Sequence, residues 1–100
     1  MRRAARTDAN HAEVMAALRA IGCSVADLSA VGKGVPDLAV SRNGITVLVE
    51  VKNGALPPSD RRLTTAQEKF KATWRGLYFV VNSVDEAIAA VQAATLRKRA

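Results

Sequence analysis

One hundred residues leave room for one domain and one core, and a hydrophobic content of 49% is ordinary for a globular chain and too high for a disordered one. No apolar run reaches the roughly 18 residues a bilayer crossing requires, the start Met1-Arg2-Arg3-Ala4-Ala5-Arg6 is basic without the apolar stretch of a signal peptide, and one cysteine cannot form an internal disulfide. Membrane-spanning, secreted and multidomain classes are therefore not expected, and a reducing cytoplasm is the expected setting.

The formal charge is +6, from 15 basic and 9 acidic residues. Six of the basic residues are Arg2, Arg3, Arg6, Arg97, Lys98 and Arg99, so residues 7–96 carry nine charges of each sign. Basic tails (about 1–6 and 97–100) on a neutral body suit a polyanion, because each phosphate neutralised releases counterions. Solubilising tails are the plainer explanation.

In chain order, a helix is expected from about Asp8 to Ile21. Val14, Leu18 and Ile21 share one face, Thr7 or Asp8 is positioned to cap the start, and Gly22 to stop it. A short strand, about Cys23 to Leu28, precedes the turn-rich loop Ser29–Pro36. Leu38-Ala39-Val40 and Ile45–Val51 are apolar, β-branched runs separated by Asn43-Gly44, the strongest short signal for a hairpin with a type I′ turn. Asn53–Leu63 reads as a loop. A helix then opens near Thr64, with Thr64 and Gln67 as a capping box and Ala66, Phe70 and Trp74 as its apolar face. Leu77–Val81 reads as a buried strand, and Ser83–Glu86 opens a last helix with Val84, Ile88, Val91 and Thr95 on one face. A helix, an antiparallel meander, a helix, a strand and a helix make a mixed sheet flanked by helices, an α/β domain with no internal repeat.

Three residues do not fit a simple core. A two-residue turn at Asn43-Gly44 pairs Arg42 with Ile45, and the same register sets Asp37 directly opposite Glu50. Carboxylates about 5 Å apart repel by roughly 3 kcal/mol at an effective dielectric near 20. A shared proton, a cationic side chain or a bridging metal ion would offset that cost. Lys52 lies two residues beyond Glu50 on the same sheet face. One lysine beside two acids leaves a net negative pocket, which suits a divalent cation. All-oxygen ligation points to Mg²⁺ or Mn²⁺, and the chain has no Cys/His set for zinc. An ordinary Asp–Lys–Glu ion pair at a strand end is the alternative.

Pro36-Asp37 followed by Glu50-Val51-Lys52 resembles the signature of the PD-(D/E)XK nucleases, and the element order is similar to that superfamily's restriction-endonuclease-like core (αβββαβ plus a C-terminal helix). More closely, the chain resembles the virus-type replication-repair nuclease (VRR-NUC) domain. That pattern has an acid on the first helix, a Gly-x-Pro-Asp strand entry, a Glu-x-Lys strand end and a Gln on the next helix. Glu13, Gly34-Val35-Pro36-Asp37, Glu50-Val51-Lys52 and Gln67 supply these in order, over roughly Asp8 to Val91, without departure.

The resemblance implies a Mg²⁺- or Mn²⁺-dependent endonuclease that hydrolyses DNA phosphodiester bonds, on structured or branched DNA, of phage or prophage type, in a bacterial or phage-infected cell. It also implies a homodimer and no small-molecule cofactor. Asp37, Glu50 and the Val51 carbonyl would hold the metal, with Glu13 completing its shell or holding an outer water. Lys52 would orient the attacking water or stabilise the transition state. Glu13 as a surface acid and Gln67 as a plain cap are the alternatives. A non-catalytic DNA-binding or protein-docking module on the same fold is the competing function.

Arg61, Arg62, Lys69, Lys71 and Arg75 outnumber Asp60 and Glu68 and are the expected phosphate contacts, or else a solvated helix face. With four aromatic residues, Phe70 and Phe79 among them expected in the core, base stacking is not the expected mode. His11 is expected to be solvated and Cys23 to be a small core residue. Gly32-Lys33-Gly34 lacks the full P-loop pattern and precedes a strand, so its glycines are read as allowing close backbone or DNA approach.

Overall fold

The computed structural model describes residues 9–96. The basic tails and the capping candidates Thr7 and Asp8 lie outside the described residues. The elements are α1 (His11–Ala20), β1 (Ser24–Asp27), β2 (Leu38–Arg42), β3 (Ile45–Val51), α2 (Thr65–Thr73), β4 (Tyr78–Val81) and α3 (Val84–Ala94), with a 3-10 turn at Pro58–Arg61. They form a small α/β fold around one four-stranded sheet in the order β1-β2-β3-β4. β1, β2 and β3 run antiparallel and β4 is parallel to β3, so the sheet is mixed.

The β2–β3 hairpin has the expected geometry. Asn43 and Gly44 both have positive φ (55° and 79°), as a type I′ turn demands, and Arg42 pairs with Ile45. The hairpin tip is fastened to the end of α3: Asn43 Nδ2 donates to the Thr95 carbonyl and Arg42 to Thr95 Oγ1.

Alternation gives the sheet two unlike faces. Leu38, Val40, Val47, Val49, Val51 and Val81 point one way and are buried against Val14 and Leu18 of α1 and Ala87 and Val91 of α3. Leu48 and Glu50 point the other way, as do Tyr78 and Val80, their partners on β4. This second face carries α2, which has no buried residue.

One boundary differs from expectation. α1 begins at His11, about three residues later than its periodicity suggests, and its N-cap Asn10 makes no capping bond. The Asn10 side chain instead donates to the carbonyls of Lys52 and Asn82, pinning the start of α1 to the ends of β3 and β4. The C-terminal end follows the sequence: Gly22 N–H bonds Arg19 O and Cys23 N–H bonds Leu18 O, a Schellman closure. His11 is not solvated but buried, with Nε2 3.3 Å from Asp27 Oδ1, because the pinned helix start presses it against the end of β1. Cys23 is a buried thiol whose pKa is raised by burial.

Candidate metal and phosphate site

The β2–β3 pairing ends at Leu38↔Val49, and Asp37 and Glu50 stand one step beyond it, where the same register would set them opposite each other. Arg42/Ile45 is a hydrogen-bonded pair of the two-residue hairpin, and pairs alternate from it, so the position one step past the ladder, Asp37 against Glu50, falls in the non-hydrogen-bonded class. In such pairs Cα atoms approach to about 4.5 Å and facing side chains are closest. The next pair would be Pro36 with Val51, and Pro36 has no N–H to offer the Val51 carbonyl. The Val51 N–H donates instead to Asp37 Oδ2 at 2.8 Å. Proline before aspartate therefore turns the end of a ladder into a carboxylate bound to backbone and a carbonyl without its strand donor.

Glu50 and Lys52 are buried, at 3% and 9% exposure, and Gln67 joins them. Its Oε1 accepts from Lys52 Nζ at 2.9 Å and from Thr64 N–H at 2.9 Å, while its Nε2 donates to Glu50 Oε2 at 3.0 Å. Lys52 Nζ lies 3.8 Å from the same Glu50 oxygen. Thr64 Oγ1 accepts from Gln67 N–H, completing the capping box. Capping and site assembly are thus one interaction set: the cap holds the amide in the orientation that meets both charges.

The loop before Asp37 is what brings α2 there. Gly34 has φ +81°, and a Cβ on it would fall 2.2 Å from the Ala66 carbonyl oxygen. Only glycine permits this approach of the loop to the first turn of α2. Close backbone contact, the expected use of this glycine-rich stretch, is thereby realised at Gly34.

Tyr78 is a member of the site that sequence reading missed. It faces the same side as Glu50, and its hydroxyl is buried with no hydrogen-bond partner. Burial, and then the negative charges of Glu50, Asp37 and Glu68, push its pKa up to about 12. The parallel register that places Tyr78 beside Leu48 has no local sequence signal, so nothing short of the fold could have found it.

Glu13 is exposed on α1 and lines a separate open cleft of about 520 Å³, with Asn10, Asn53, Arg61 and Glu86 on its walls. Among the described residues no group of three or more His, Cys, Asp or Glu is gathered to hold a metal ion. Glu13 is therefore not brought together with Asp37 and Glu50. What fits a hard divalent cation is the chemistry of the remaining donors: two carboxylates, each with about four acceptor sites, and the Val51 carbonyl beside them.

The basic residues divide. Arg61 Nε donates to Leu56 O at 2.8 Å and Arg62 Nε to Ser59 O at 3.4 Å, so both brace the loop between β3 and α2. Lys69, Lys71 and Arg75 are exposed on and just after α2. Phe70, expected in the core, is only half-buried; it stacks on Trp74 with ring centroids 5.4 Å apart and meets Tyr78 at 6.2 Å. None of the nine residues of α2 is buried, and Trp74 at its C-terminal end is 45% exposed.

Comparisons with protein-family models, curated proteins and solved structures each find no match. Among the described residues no helix is long and apolar enough to cross a membrane.

Proposed function

We propose that this chain is a Mg²⁺- or Mn²⁺-dependent endonuclease with a restriction-endonuclease-like core of the VRR-NUC type, cutting structured or branched DNA in phage or prophage replication, recombination or repair. The observation that carries this reading is the polar cluster at the end of the β2–β3 ladder, where Val51 N–H holds Asp37 and Gln67 joins buried Lys52 to buried Glu50. An ordinary ion pair would not require a buried lysine to be shared with an amide that also caps a helix.

In this reading Asp37, Glu50 and the Val51 carbonyl hold the cation. A bound divalent ion lowers the pKa of a ligated water and neutralises charge that builds on the phosphate. The Lys52 ammonium, fixed at 2.9 Å from Gln67 Oε1, orients the attacking water or stabilises the charged transition state. The Val51 N–H fixes the Asp37 carboxylate before substrate arrives, so little reorganisation accompanies the reaction. Glu13, in the separate cleft beyond the Asn10 pin, is not one of these ligands. Lys69, Lys71 and Arg75 hold DNA by its phosphates. A homodimer would present two such sites to a branched substrate.

The test is a cleavage panel of plain duplex, nicked, flap and four-way DNA with Mg²⁺ or Mn²⁺. Cleavage is expected to cease on chelation and to fall at least a thousandfold in Asp37→Asn. Salt-sensitive DNA binding with no cleavage of any substrate would replace this reading with that of a non-catalytic binding module.

A further inference from the structure

The aromatic residues of α2 point to a second contact with DNA, distinct from the phosphate grip. Trp74 is 45% exposed although one ring face lies on Phe70, with an interplanar angle of 19°. Gly76 leaves room beside the indole, since a Cβ there would come within 2.9 Å of Trp74 Nε1. Phe70 in turn touches Tyr78, which lies on the sheet face of Glu50. Three of the chain's four aromatics thus form a row from the candidate site to the surface. The cations Lys71 and Arg75, exposed on either side of Trp74 in sequence, supply the charge that a phosphate chain needs.

Resting on the DNA reading above, we infer that Trp74 is a stacking platform for an unpaired base of the DNA strand whose phosphates Lys71 and Arg75 hold. A flat ring fixed in advance loses little freedom on binding, and every base has a face to stack on it. A fully paired duplex offers such a face only at its two ends, so a long blunt duplex offers few of them.

Trp74 is the chain's single tryptophan, so its emission reports this contact directly. The full chain in EDTA is titrated with a forked duplex, with the same fork carrying abasic arms, and with a blunt duplex of equal charge. The inference expects quenching by the fork alone. It also expects about tenfold weaker fork binding in Trp74→Ala, with Trp74→Phe retaining part of the affinity. Asp37→Asn must quench like wild type, which separates this contact from the cleavage chemistry. Equal emission changes with abasic or blunt DNA, no DNA binding, or an emission change set by protein concentration alone (a second copy on this face) would overturn it.

Discussion

The two faces of one sheet follow different rules. The face under α1 and α3 is a close-packed apolar layer in which Leu38, Val40, Val47 and Val49 have no exposure. Its stability comes from area removed from water. The face under α2 is held by directed polar contacts, the Gln67 bridge between Lys52 and Glu50 and the Gly34–Ala66 approach. The contrast teaches that the first face holds the strands while the second spends its contacts on geometry. Moving one residue along β3, from Val49 to Glu50, crosses from one regime to the other.

Substitutions on either side should separate the regimes. Leu38→Ala should cost about 3 kcal/mol in denaturant unfolding, by lost burial and a residual cavity. Gln67→Ala should cost about 2 kcal/mol, for the return bond of the cap and the bonds it gives buried Lys52 and Glu50, yet under the proposed function it should reduce cleavage by an order of magnitude or more. Equal stability losses would dissolve the distinction.

A smaller effect sharpens the picture of the polar face. Tyr78 is the only tyrosine, so tyrosinate absorbance follows it alone. Its midpoint is expected at about 12 and not at the ordinary 10, first because of burial and then because of Glu50, Asp37 and Glu68. The raised value fixes the sign of the linkage. Stability is intact below pH 10 and falls as pH climbs toward 12, because the unfolded chain gives up this proton first. Asp37→Asn should lower the midpoint by removing one nearby negative charge.

The hairpin was legible because Asn43-Gly44 admits one turn type, and that turn fixes every pair from Arg42↔Ile45 to Leu38↔Val49. The two capping positions on α2 and α3 were legible for the same local reason: Ser83 accepts from Glu86 N–H, as Thr64 does from Gln67 N–H. Glu86 then departs from the box by accepting from Asn82 N–H, one residue earlier. Helical periodicity identified the Ala66-Phe70-Trp74 face but not what covers it, since coverage depends on how far a nine-residue helix reaches across a sheet. Tyr78 and Asn10 were illegible because their roles depend on crossover register and on the meeting of distant strand ends. Glu13 matched a family pattern in sequence, yet it lines another cleft.

The most direct test of the central claim is calorimetric titration of the full chain with Mn²⁺. Wild type is expected to bind the ion at one site, and both Asp37→Asn and Glu50→Gln to lose that binding while keeping their fold by circular dichroism. Binding unchanged by either substitution, or none in the wild type, would contradict it.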